Sequence, residues 1–252
     1  MEKSNKTAMV LAWSFFKGNY ALNFAVIAIL ILLNLLGMIP IIGMLFILGY
    51  SILSLSVQIY FGRGVDRAQK PEDMADLAAQ SKIADVLSAY LHVAAGAFLA
   101  LFAISLVFMA LFGMVVGMSG GMDAMQNGVA AQAQMEAMLG ASGAMGLVLI
   151  LIAAFLFYFF PAVMGRVIRS DTFVDGFKNV LLLFSPTLWK ACFNKEYFVL
   201  VLIWSLILMG VGIVMIALSA TIVLLPVVLV IAYLLSLYNA AIYVFAADLA
   251  KE

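Results

Sequence analysis

GNYALNFAVIAILILLNLLGMIPIIGMLFILGYSILSLSVQIYFG, residues 18–62, runs for 45 residues without an Asp, Glu, Lys or Arg. An α-helix rises 1.5 Å per residue, so as one rod this stretch would measure about 68 Å, twice the roughly 30 Å of a bilayer's hydrocarbon core. It must therefore reverse within itself. Gly37-Met38-Ile39-Pro40 is the place, because glycine permits a tight turn while proline lacks a backbone donor and restricts the residue before it. Working outward, three further charge-free runs follow: Val86–Met122, Ala137–Gly165 and Tyr197–Ala247. The last, at 51 residues, needs its own break, expected near Ser219–Thr221 ahead of Pro226. Six transmembrane helices result, at about 20–37, 40–61, 88–117, 145–164, 198–218 and 223–246, in a single membrane domain over 1–252.

Composition agrees. Of 252 residues, 67% are apolar and 10% charged, against roughly 45–50% and about 25% in soluble domains. A cytosolic enzyme is excluded, and so is disorder, which needs low hydrophobicity and high net charge. Thirteen basic residues balance thirteen acidic ones, leaving no excess charge to draw nucleic acid. The single cysteine, Cys192, has no internal partner for a disulfide.

Orientation follows from the loops. Lys3, Lys6 and Lys17 precede the first span; Arg63, Arg67, Lys70 and Lys82 lie in the 62–87 loop; Arg166, Arg169, Lys178, Lys190 and Lys195 lie in the 165–197 loop; Lys251 follows the last span. The 118–144 loop has none. All thirteen fall on one side of a six-span arrangement, which the positive-inside rule assigns to the cytoplasm, N-in and C-in. Met1–Gly18 lacks the form of a secretory signal peptide; Ala8–Phe16 within it reads as an amphipathic interfacial segment, and the first span is expected to double as the insertion signal.

Both cytoplasmic loops predict short interfacial helices. Pro71-Glu72-Asp73 opens one, with proline in the first turn and carboxylates at the positive end of the dipole. In the other, Phe173, Phe177, Val180, Leu181 and Phe184 recur at helical spacing. These helices either seal the mouth of the bundle or dock a partner. The ends of the chain also resemble each other as a parallel repeat. Phe16–Tyr20 and Phe193–Tyr197 precede spans one and five, Pro40 and Pro226 head spans two and six, and Tyr50/Tyr60 and Tyr233/Tyr243 are each ten apart.

Ile39-Pro40-Ile41-Ile42-Gly43, then Gly49-Tyr50, Gly62-Arg63 and Pro71-Glu72-Asp73, with the Phe-rich stretch Phe173–Trp189 before the final hairpin, resemble a group of prokaryotic integral membrane proteins known as a domain of unknown function (number four thousand and thirteen). The resemblance covers about residues 20–248. It departs where Ser81-Lys82 stands in place of that family's glycine in the first cytoplasmic helix. It implies a prokaryotic plasma-membrane protein and carries over no catalytic residue.

No ionisable side chain other than tyrosine and the single histidine, His92, falls within the spans. Intramembrane carboxylates and bases mark ion paths, proton relays and voltage sensors, so their absence argues against an ion-coupled transporter. His92 has no carboxylate or second histidine beside it in sequence and reads as a hydrogen-bonded interfacial residue. No phosphate-cradling glycine loop, HExxH or G-x-S-x-G is present; neither an enzyme nor a cofactor is expected. Polar side chains do form stripes. Ser51, Ser54 and Gln58 share a face of span two, and Ser236, Asn239 and Tyr243 repeat the spacing in span six. Either the stripes pack together, with Asn23 and Asn34 serving the same end, or they line a polar cleft between the hairpins. Gly113 and Gly117 form a small-xxx-small motif for close helix approach. Met118, Met122 and Met125 continue a methionine stripe from Met114 toward the outside. It reads as a loosely packed apolar cap or, more distantly, as a soft-metal site for Cu(I). Three functions remain open: a non-catalytic membrane subunit or scaffold binding itself or another membrane protein; a passive conduit or lipid-handling protein using the cleft; and extracytoplasmic copper handling.

Overall fold

The computed structural model describes residues 1–118, 143–220 and 224–250, and among them every regular element is a helix. Five segments are long and apolar enough to cross a membrane: Gly43–Arg67, Ile83–Met114, Leu147–Ile168, Lys195–Ser219 and Leu225–Leu249. A sixth arises only when α1 (Asn5–Gly18) and α2 (Tyr20–Leu36), bent by 98° at Asn19, are taken together. The chain is an all-α polytopic membrane protein.

α1 begins where the Ser4 hydroxyl accepts the Thr7 N–H, which satisfies an orphan donor of the first turn. Ala8, Leu11, Ala12, Phe15 and Phe16 recur at three- and four-residue spacing and are all buried. The helix ends at Gly18, where a Cβ would lie 2.5 Å from the Ala75 carbonyl oxygen, so only glycine lets the backbones approach this closely. Asn19 then opens α2, its Oδ1 accepting the Leu22 N–H and its Nδ2 donating to the Ala78 carbonyl. The amide cap thus sits at the bend between the two helices.

The reversal expected at Gly37–Pro40 occupies residues 37–42, and α3 (Gly43–Arg67) follows. Proline sits inside the turn and does not head the helix. α2 has 17 residues, about 26 Å, and the exposed apolar Met38 and Ile41 extend its reach. At its other end α3 outlasts the expected boundary at residue 61 by six residues. Arg63 and Asp66 of its last turns find partners, as described below, and helical periodicity continues past the apolar run.

α4 (Pro71–Gln80) and α5 (Ile83–Ser88) are the short helices of the first loop. Ser81 separates them, its hydroxyl donating to the Leu77 carbonyl and sharing a hydrogen bond with Tyr60. α6 (Leu91–Met118) and α7 (Gly143–Ile168) follow. Residues 99–158 form a compact unit of their own; residues 1–98 and 159–252 form the other. In the second loop, α8 (Phe173–Leu181), a 3₁₀ turn and α9 (Pro186–Cys192) lead to α10 (Lys195–Ser219), which Asn194 caps at the Tyr197 N–H. α11 (Leu225–Leu249) ends the described chain.

In the larger unit α11 is the hub. Tyr233, Leu237, Tyr238 and the run Ala240–Ala247 are all buried, and α11 packs on α1, α2, α3 and α10. Gly165 of α7 sits so close that a Cβ there would collide with the Tyr243 carbonyl. Without a hydrophobic drive inside a bilayer, such small-residue contacts hold helices by van der Waals packing. Of the second loop, Gly176 and Val180 of α8 and Leu183 of the 3₁₀ turn face inward, while Phe173, Leu181 and Phe184 of the expected stripe stay exposed. The inward face needed close approach, since a Cβ on Gly176 would press the Val93 carbonyl at 2.6 Å. The larger aromatic rings are left for the membrane interface.

Candidate functional site

α2, α3 and α11 enclose a cleft of about 310 Å³ at the ends of these helices away from their charged turns. Its walls are apolar, from Leu30, Leu229 and neighbours, and Asn34, Tyr50, Ser54 and Ser236 open onto it. Two of these were expected from the stripes. The Ser236 hydroxyl donates to the Tyr233 carbonyl of its own helix. Asn34, Tyr50 and Ser54 hold no side-chain hydrogen bond to any described residue. Unpaired polar groups facing hydrocarbon are unfavourable, so this lining is suited to a ligand or water that supplies partners.

The remaining stripe residues separate. Ser51 Oγ donates to the Ile47 carbonyl of its own helix at 2.9 Å. Gln58 is half-buried and lies outside the cleft lining. Asn239 accepts the Trp204 indole N–H at 2.8 Å, joining α11 to α10. Tyr243 is buried with its ring edge-on to Phe160 and Trp204. The stripe on α11 thus faces the cleft at one height and protein at the next.

Two polar links were not anticipated as pairs. Tyr233 donates to Asn23 Oδ1 at 2.7 Å, and Asn23 Nδ2 donates to the carbonyls of Phe15, Phe16 and Asn19. The Tyr238 hydroxyl donates to Asn5 Oδ1, whose amide donates to the Leu200 carbonyl. Asn23 stands alone in an apolar run, which is the signal a sequence offers for such a link, whereas Asn5, between Ser4 and Lys6, offers none.

At the opposite end, charged turns converge. Arg63 pairs with Asp171 at 2.7 Å, Arg169 bridges Asp66 and Asp248, and Lys3 meets Asp248 at 3.2 Å. Burial works against the Arg169 charge, but hydrogen bonds and attraction from Asp66 and Asp248 outweigh it and hold the guanidinium above its ordinary value. His92 Nε2 lies 2.9 Å from the Asp171 carbonyl. Both loops and both termini therefore share one end of this unit.

Of the other candidates, Gly113 lies in α6 with nothing within 4 Å of where a Cβ would stand, and Gly117 lies in the same helix. Met118 closes α6; Met122 and Met125 fall outside the described residues. No group of three His, Cys, Asp or Glu among the described residues is placed to hold a metal. No family model, curated protein or solved structure matches this chain.

Proposed function

We propose that this chain is a non-catalytic, lipid-handling protein of a prokaryotic plasma membrane, N-in and C-in, that holds an apolar chain bearing a small polar group in the α2–α3–α11 cleft. One observation carries the reading: Asn34, Tyr50 and Ser54 converge on an apolar-walled cleft without hydrogen-bond partners among the described residues. Neutral donors and acceptors on an apolar wall suit an amphiphile, with the tail along Leu30 and Leu229 and an ester or hydroxyl at the polar groups. Nothing there resembles a nucleophile beside a base. The concentration of Lys and Arg in the loops at the charged end supports its placement in the cytoplasm.

The test is native mass spectrometry of the protein released from mild detergent, wild type against Asn34→Leu/Ser54→Leu. Wild type should retain one or two lipids per chain, and the double variant should retain fewer at unchanged melting temperature. Equal retention would overturn the reading. A second reading, a membrane subunit that assembles with itself, draws on Gly113, which faces open space. A discrete oligomer without bound lipid in the same spectra would favour it.

A further inference from the structure

A second cavity, about 260 Å³, lies at the charged end of α3, bounded by Tyr60, Arg63 and Arg67 of α3, Asp73 and Leu77 of α4, and Tyr90 before α6. Unlike the apolar-walled cleft, it is lined by charged and polar side chains, which suit a small anionic group. The Arg63 guanidinium stands over the Tyr90 ring at 5.3 Å, and its Nη2 donates to Asp171 and the Ser170 carbonyl. Its Nε is buried with no hydrogen-bond partner among the described residues. A buried donor left unpaired is unfavourable. Arg67, four residues on and therefore on the same helical face, is exposed and forms no ion pair among the described residues. Like charges at this spacing repel unless an anion lies between them. Asp73 is the one carboxylate in the lining, and its Oδ2 already accepts the backbone N–H groups of Gln69 and Lys70.

We propose that this cavity binds a phosphate group, clamped by Arg63 and Arg67. Guanidinium donors match phosphate oxygens in a fork geometry that an ammonium does not reproduce. Arg63 supplies a guanidinium fixed by the ion pair with Asp171, and Arg67 closes from the exposed side. Tyr60 and Tyr90 have the amphipathic character found at headgroup depth. The site stands apart from the cleft, at the other end of α3, and rests on separate residues.

The phosphate belongs either to a lipid headgroup or to a soluble ion, and two probes distinguish them. The full chain in a maltoside detergent, which carries no phosphate, is titrated calorimetrically with inorganic phosphate and, separately, with dihexanoylphosphatidylglycerol. At least one should bind one to one, and Arg67→Gln should weaken it by about tenfold or more, the loss of a charge-assisted contact, at unchanged melting temperature. Arg67→Lys should recover only part of the affinity. Binding of the lipid alone assigns a headgroup site; equal binding of both assigns soluble phosphate. Binding of neither probe, or undiminished binding by Arg67→Gln, overturns the proposal. Arg67 is remote from the cleft, so lipid held there contributes a background that the variant leaves unmoved.

Discussion

Ile41 adopts φ 73° in the turn between α2 and α3, a left-handed conformation that a β-branched side chain resists. Such strain costs of order 1–3 kcal/mol, and 96% exposure of the side chain means that little protein packing repays it. Ile41→Asn should therefore raise the melting temperature in detergent, because asparagine tolerates this region; a fall would show that Ile41 anchors the turn in some other way. The position of that turn was legible, since chain length without charge and the Gly37/Pro40 pair forced it. The φ at Ile41 was not, because no sequence rule places an isoleucine there. Asn23 teaches the same lesson in the candidate site. Its isolation in an apolar run signalled a need for partners, but its link to Tyr233 joins residues 210 positions apart, and spacing along one helix cannot name a neighbour on another.

Among the elements, α4 shows local chemistry setting a helix start. Proline occupies the first turn and the Asp73 carboxylate accepts two backbone N–H groups from the residues before it. Those hydrogen bonds hold the Asp73 carboxyl below its ordinary value. A depressed folded-state pKa adds stability that is present above the ordinary value of 3.8 and disappears as pH falls through the folded value. Circular dichroism of wild type should thus show an acid-induced loss of stability, and Asp73→Asn should be less stable at neutral pH with that part of the acid dependence removed. Identical acid profiles would refute the capping role. The α11 stripe marks the limit of element-scale reading. Ser236 to Tyr243 climbs about 10 Å along the helix, far enough for the bounding neighbour to change from α2 and α3 at the cleft to α10 and α7 beyond it. Periodicity set these residues on one face but could not tell that its lower half is packed. For α8 it marked an apolar stripe but could not show that Gly176 is the point of close approach to Val93 of α6.

For the whole molecule, the convergence of Lys3, Arg63, Asp66, Arg169, Asp171 and Asp248 at one end turns topology into a geometric matter. These residues come from the N-terminal segment, both large loops and the end of α11, which the count of Lys and Arg assigned to one side. The α2–α3 turn lies at the far end of a 25-residue helix, about 37 Å away along its axis, so a bilayer fits between them. Labelling reads this directly, because the one native thiol is nearly silent. Cys192 is fully buried, and burial pushes its thiol up to about 11, leaving on the order of one part in ten thousand as the reactive thiolate at pH 7. Met38→Cys, at an exposed turn position, should react with a membrane-impermeant maleimide on intact cells. Lys3→Cys and Gln69→Cys should react only after the membrane is opened. Labelling of all three on intact cells would show that the charged end does not face the cytoplasm; reaction of Lys3→Cys and Gln69→Cys on opposite sides would break the shared end itself. The expected pattern places the Arg63–Arg67 cavity at the inner leaflet and the α2–α3–α11 cleft toward the outer one, with α3 as the rod between them.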